Sequence, residues 1–158
     1  MRSLTRDLSG LLLVLALLLT GCGDDAGEDV AEDPAPTKST QPVEPALLTL
    51  WSRSDAGGAV DPLVQPLDSE AAVAEFAAQF PDGAVATALQ DEVAALDVPE
   101  GQVAAGAVVA IGCDPPTDAT VEVTDRGVEV TSPPVKSDKQ CLVAVTTIAI
   151  VAADPDQV

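Results

Sequence analysis

Between residues 23 and 45 the chain reads GDDAGEDVAEDPAPTKSTQPVEP, with seven carboxylates, one lysine, four prolines and no run of apolar residues. Such a stretch repels itself and buries too little apolar surface to offset the entropy lost on ordering it. Folding is therefore confined to residues 46–158, 113 positions that suffice for one modest domain and are too few for two. As a flexible coil the acidic stretch would average roughly 25 Å end to end, and more where charge and proline extend it.

Ahead of it lie three features in the order a secretory signal requires: Arg2 and Arg6, the apolar run 11–19, and small residues before a cysteine. Nine apolar residues fall short of the roughly 20 that a membrane-spanning helix needs. The end of the run, Leu19-Thr20-Gly21-Cys22, resembles the lipobox of bacterial lipoproteins. That resemblance implies a diacylglycerol on the sulfur of Cys22 and cleavage of the bond before it. The expected organisation is a signal peptide over 1–21, a lipidated acidic tether over 22–45 and a domain over 46–158. Two acyl chains, at about 0.8 kcal/mol per buried methylene, give stable anchoring where one would be marginal.

Removal of residues 1–21 takes Arg2, Arg6 and Asp7, so 7 basic and 26 acidic residues become 5 and 25, net −20. Nucleic acid is excluded as an expected partner, because phosphate binding needs clustered Lys and Arg. Direct docking of the folded domain on anionic lipid is disfavoured for the same reason. The expected partners are the membrane, through lipid on Cys22, and a protein of the envelope.

Periodicity within 46–158 gives the fold expectation. Residues 46–53 (ALLTLWSR) read as a strand, and Gly57-Gly58, Pro62 and Pro66 mark the loop after it. Asp68 or Ser69 offers an N-cap to a helix carrying Val73, Phe76, Ala77 and Phe80 at i, i+3, i+4 and i+7, stopped by Pro81. A second helical stripe is Val85, Leu89, Val93 and Leu96. Residues 103–111 form a near-continuous apolar run suited to a buried central strand. Residues 119–124 and 128–131 alternate around Asp125-Arg126-Gly127 as a hairpin. Residues 141–151 (CLVAVTTIAIV) are β-branched and too short to span a membrane. The expected class is α+β, an antiparallel sheet of about five strands with two helices on one face, in the order βααββββ.

Cysteine arithmetic agrees with the address. Only Cys22, Cys113 and Cys141 occur, so lipidation of Cys22 leaves one even pair in an oxidising compartment. Cys113 ends the central strand and Cys141 begins the last one, so antiparallel neighbours would set the two sulfurs face to face. A redox role is disfavoured by spacing far from C-x-x-C and by Asp114 and Asp118 nearby.

The chain has no His, which removes Ser-His-Asp and Cys-His sites and histidine-ligated zinc. Carboxylate-only glycoside hydrolysis would want aromatic platforms, yet the aromatics are Trp51, Phe76 and Phe80, and both Phe lie on a helical apolar stripe. No calcium-loop pattern occurs, and the densest carboxylates fall in the tether. No catalytic residue, metal or cofactor is expected. Trp51 and the proline loops, with Pro115, Pro116 and Lys136, are the candidate interaction surface.

Gly112-Cys113-Asp114-Pro115-Pro116, Lys136-Ser137, Gln140-Cys141-Leu142-Val143 and Val145-Thr146-Thr147 together resemble a group of small actinobacterial lipoproteins. The likeness extends loosely over 47–152, including the WSRS segment and the Leu67-Asp68 helix start. It implies the same address and bridge and lends no catalytic residue. The functional expectation is a non-enzymatic, membrane-tethered binding or accessory module, including a protease-inhibitor-like or complex-stabilising role. A carboxylate-dependent envelope hydrolase and a cation- or ligand-binding lipoprotein are the alternatives. Metabolic labelling with an alkynyl fatty acid should mark the wild-type chain and leave Cys22→Ala unmarked; label retained by the variant contradicts the anchor.

Overall fold

The structure is a computed structural model that describes residues 43–138 and 140–158. The signal segment, Cys22 and all but the last three residues of the 22–45 tether lie outside the described residues. The elements are β1 (Ala46–Ser54), β2 (Asp61–Pro66), α1 (Glu70–Ala77), α2 (Ala84–Ala94), β3 (Val103–Gly112), β4 (Thr120–Thr124), β5 (Gly127–Thr131) and β6 (Val145–Ala153). A 3₁₀ turn at Pro155–Gln157 follows. Among the described residues no helix is long and apolar enough to cross a membrane.

β3 and β6 pair antiparallel from Val103↔Ala153 to Gly112↔Val145 and form the middle of a six-stranded sheet of order β1-β6-β3-β2-β5-β4. Every neighbouring pair is antiparallel. The class is α+β, as the periodicity implies, with the hairpin at Asp125-Arg126 in place. The order, however, is ββααββββ, and the strand that the sequence reading lacks is β2, DPLVQP.

Prolines made β2 look like a loop, and its pairing explains how they fit. Its register with β3 is irregular between Asp61↔Val108 and Gln65↔Gly106, so Pro62 falls where no ladder bond is required of it. Leu63 N–H is satisfied instead by the Asp61 side chain at 3.1 Å.

The sheet buries both faces. On one, Ala104, Val108, Ile148 and Ile150 meet Val73, Phe76 and Ala77 of α1 and Val85 and Leu89 of α2. On the other, Ala105, Ala107, Val109, Ala149, Val151 and Ala153 meet Val64, Val128 and Val130, with Leu47 and Val121 at the margin. All six strands thus contribute to the second cluster, so the sheet curls around it, and the outer strands β1 and β4 approach each other. Alanine is poor in strands generally, yet inside the curl the alanines of β3 and β6 pack against the valines of β2 and β5. A bulge at Val109, where Val108 faces Ile148 and Ala110 faces Thr147, adds local twist in the same strand.

The helices follow their stripes and end early. Ser69 Oγ accepts from Ala72 N–H at 3.2 Å and caps α1, whereas α2 starts after Gly83 without a side-chain cap, and Asp82 Oδ1 accepts from Ala84 N–H at 2.9 Å just ahead of it. α1 closes at Ala77, before Phe80, but the following turn carries Phe80 back onto the core, its ring edge-on to Phe76 at 5.8 Å. Leu67 crosses β3 above Gly106, where a Cβ would lie 2.7 Å from the Leu67 Cδ1.

In the β4–β5 hairpin the positive φ falls on Gly127, at 123°, and not on Asp125 or Arg126. A side chain there would be strained, and its Cβ would sit 2.9 Å from the Gln157 carbonyl oxygen. Gly127→Ala should therefore lower unfolding free energy by about 1–3 kcal/mol in urea titration; an unchanged midpoint would contradict the strain assignment.

Candidate functional site

The register fixes two poles of the domain. At one, the chain enters at Ala46 opposite Ala152, beside the start of β3 at Val103. At the other, Ser54 and Gly112 both flank Val145, and the disulfide lies just beyond.

Cys113 and Cys141 are bonded, with Cα atoms 5.3 Å apart and a sequence separation of 28. Cys113 follows β3 directly, as expected. Cys141 does not begin the last strand: β6 starts at Val145, four residues later. β1 ends opposite Val145 and so does β3, so residues 141–144, though strand-like in composition, have no partner left to pair with. The bridge therefore staples irregular chain beyond the ladder rather than two strands across it.

Three contacts hold this pole. Ser132 Oγ donates to the Val109 carbonyl at 3.1 Å, tying the start of the loop after β5 to the β3 bulge. Asp55 N–H donates to the Ala144 carbonyl at 2.9 Å. Asp55 itself takes φ of 62°, a left-handed conformation that Asp tolerates better than most residues, and it turns the chain away from β1. On the helix side, Thr146 Oγ1 donates to the Gly57 carbonyl at 2.8 Å, which satisfies a buried hydroxyl.

Exposed apolar side chains gather here. Val60, Ile111, Val135, Leu142 and Val143 are all solvent-exposed, and Leu142 is fully so at 103%. A surface recess of about 320 Å³ is lined by Val60, Ile111, Cys113, Pro133, Pro134 and Val135. Val43 and Val123 are the other large apolar residues exposed among the described residues.

The candidate surface named from sequence is only partly assembled. Pro115 and Lys136 are exposed, in the two loops that leave this pole. Pro116 is buried, and Trp51 is half-buried against the helix-side core, so neither presents a free face. Trp51 is withdrawn because it stands opposite Ile148 on the face that the helices cover. Leu142, Val143 and Val60 were not singled out. Leu142 and Val143 belonged to a run that read as strand, and only the end of pairing at Val145 exposes them. The adjacent cysteine was the one available signal, since a half-cystine beside two apolar residues marks stapled chain.

Among the described residues no group of three or more Cys, Asp or Glu side chains could hold a metal ion. The larger recess of about 410 Å³, between the start of α1 and α2, is lined by Asp68, Ser69, Glu70, Val73, Gln90 and Val93, and Ser69 Oγ is engaged there as the α1 cap. Comparison with family models, with curated proteins and with solved structures finds no match to this chain.

Closing a loop of this length stabilises the fold by about 3.5 kcal/mol on the chain-entropy account. The double variant Cys113→Ala/Cys141→Ala should lose a comparable amount in urea titration while keeping its far-ultraviolet circular dichroism; a loss well below about 1 kcal/mol would show that the staple is dispensable.

Proposed function

We propose that this chain is a lipid-anchored lipoprotein of the bacterial cell envelope, held on the extracytoplasmic face of the membrane through Cys22. Its folded domain is a non-enzymatic binding or accessory module that engages a protein partner through the disulfide pole. The gathering of exposed apolar side chains at that pole carries the reading. Single exposed apolar residues are ordinary, but five of them at one end of a small acidic domain have the make-up of a contact surface.

Two further features support it. The chain enters the folded domain at the opposite pole, so a tether attached there leaves the disulfide pole unobstructed. The contact surface is also held by the bridge, the Ser132 bond and the Asp55 bond, which lowers the ordering cost of binding. Lys136 is exposed next to Val135 in the sequence and adds one cation to this loop. The actinobacterial source implied by the sequence resemblance would make the cytoplasmic membrane the anchor site.

Site-specific photo-crosslinking in intact cells tests the surface. A photoreactive residue in place of Val135 should give a discrete protein adduct, and one in place of Glu100, before β3 at the other pole, should not. Equal adducts from both positions, or none from Val135, would overturn the assignment.

A further inference from the structure

Within the disulfide pole, residues 141–144 have a construction that the apolar patch alone does not require. Cys141 is bonded to Cys113 at the end of the central strand, and the Ala144 carbonyl accepts from Asp55 N–H before β6 begins at Val145. Only Leu142 and Val143 lie between these anchors. Their main-chain groups make no hydrogen bond within the described residues, and their side chains are exposed, Leu142 fully and Val143 at 47%. The chain thus presents a short main-chain segment and one large aliphatic side chain to solvent, between a covalent anchor and a hydrogen bond.

We propose that Leu142 and Val143 are the contact of a substrate-like inhibitory loop, which enters the cleft of a secreted serine endopeptidase whose primary pocket accepts large apolar side chains. The proposal rests on the disulfide pole being the binding surface and names its occupant. A peptidase cleft is the concave partner that reads both elements on offer, since it pairs with exposed main chain and swallows one side chain next to the scissile bond. Leu142 is the side chain that fills the pocket, and Val143 follows the bond. The anchors supply the preorganisation that distinguishes an inhibitor from a substrate, because little conformational freedom is left to lose on binding.

The anchors also act after cleavage. Hydrolysis would add one water across the Leu142–Val143 bond, leaving a carboxylate on Leu142 and an ammonium group on Val143. The first end stays one residue from the bridge and the second one residue from the Ala144 bond and β6. Neither fragment leaves, so the reverse condensation remains close to balance and the cut chain continues to occupy the cleft. An extracytoplasmic address, as proposed above, places such a loop where secreted endopeptidases act.

The test uses the full chain with its disulfide formed, assayed against chymotrypsin, subtilisin and trypsin with small chromogenic substrates. Chymotrypsin or subtilisin should be inhibited competitively with a constant near or below about 1 μM, and trypsin should be unaffected. Leu142→Lys, at a side chain that touches no core, should lose inhibition of the apolar-specific enzymes by about a hundredfold and gain inhibition of trypsin. Its thermal melt should match the wild type. Reduction of the bridge should convert the loop into a substrate cut after residue 142. Three results would overturn the proposal: no inhibition of chymotrypsin or subtilisin at about 10 μM chain, inhibition unaltered in Leu142→Lys, or cleavage after Leu142 as fast as in an unfolded peptide of the same sequence. Such a failure leaves the crosslinks from Val135 standing, so the occupant and the surface are judged separately.

Discussion

The pairing of β3 with β6 is the constraint on which the remaining structure depends. Both strands are buried on both faces over most of their length, and each has a further strand on its other side. Their register aligns the two sets of side chains. Ile148, Ile150 and Val108 face the helices, while Ala105, Ala107, Ala149 and Val151 fill the inside of the curl. A slip of one residue would exchange these sets, driving the branched residues into the confined side and leaving alanine beneath the helices.

The same register makes the two ends of the domain differ. It ends at Gly112↔Val145, and with β1 ending opposite the same residue, no strand remains to pair the chain beyond it. The apolar residues that follow Cys141 are consequently left in water and held by a covalent bond and one hydrogen bond in place of a ladder. At the other end the chain enters beside Ala152, so the proposed attachment and the proposed contact surface fall on opposite poles. Stability from the sheet centre and presentation at its end are two consequences of one pairing.

Much of this architecture could be read from the residue pattern, and the departures have identifiable causes. The helix stripes were visible because Val73, Phe76, Val85 and Leu89 recur at helical spacing, and the hairpin because polar and apolar residues alternate around a glycine. Pro62 and Pro66 hide β2 in the sequence, because proline argues against a strand; the irregular register accommodates Pro62, and Pro66 is the last residue of the strand. Cys141-Leu142-Val143 looked like strand because composition reports β preference without reporting whether a neighbour is present. The surface inherited the same blind spot: Pro116 and Trp51 are polar-loop and aromatic residues by type, but their accessibility depends on which face of the chain the neighbours cover.

The sequence by itself determined the α+β class, the cysteine pair and the absence of histidine, and it carries the expectation of a secretory address ending at Cys22. Each follows from residue identity, charge, count or short-range periodicity, which need no partner to be expressed. Tertiary structure alone decided that β2 joins the sheet, that six strands curl around one of two cores, and that Leu142 and Val143 stand exposed beside the bridge. These depend on where pairing stops, a property of strands distant in sequence, and no local pattern carries it.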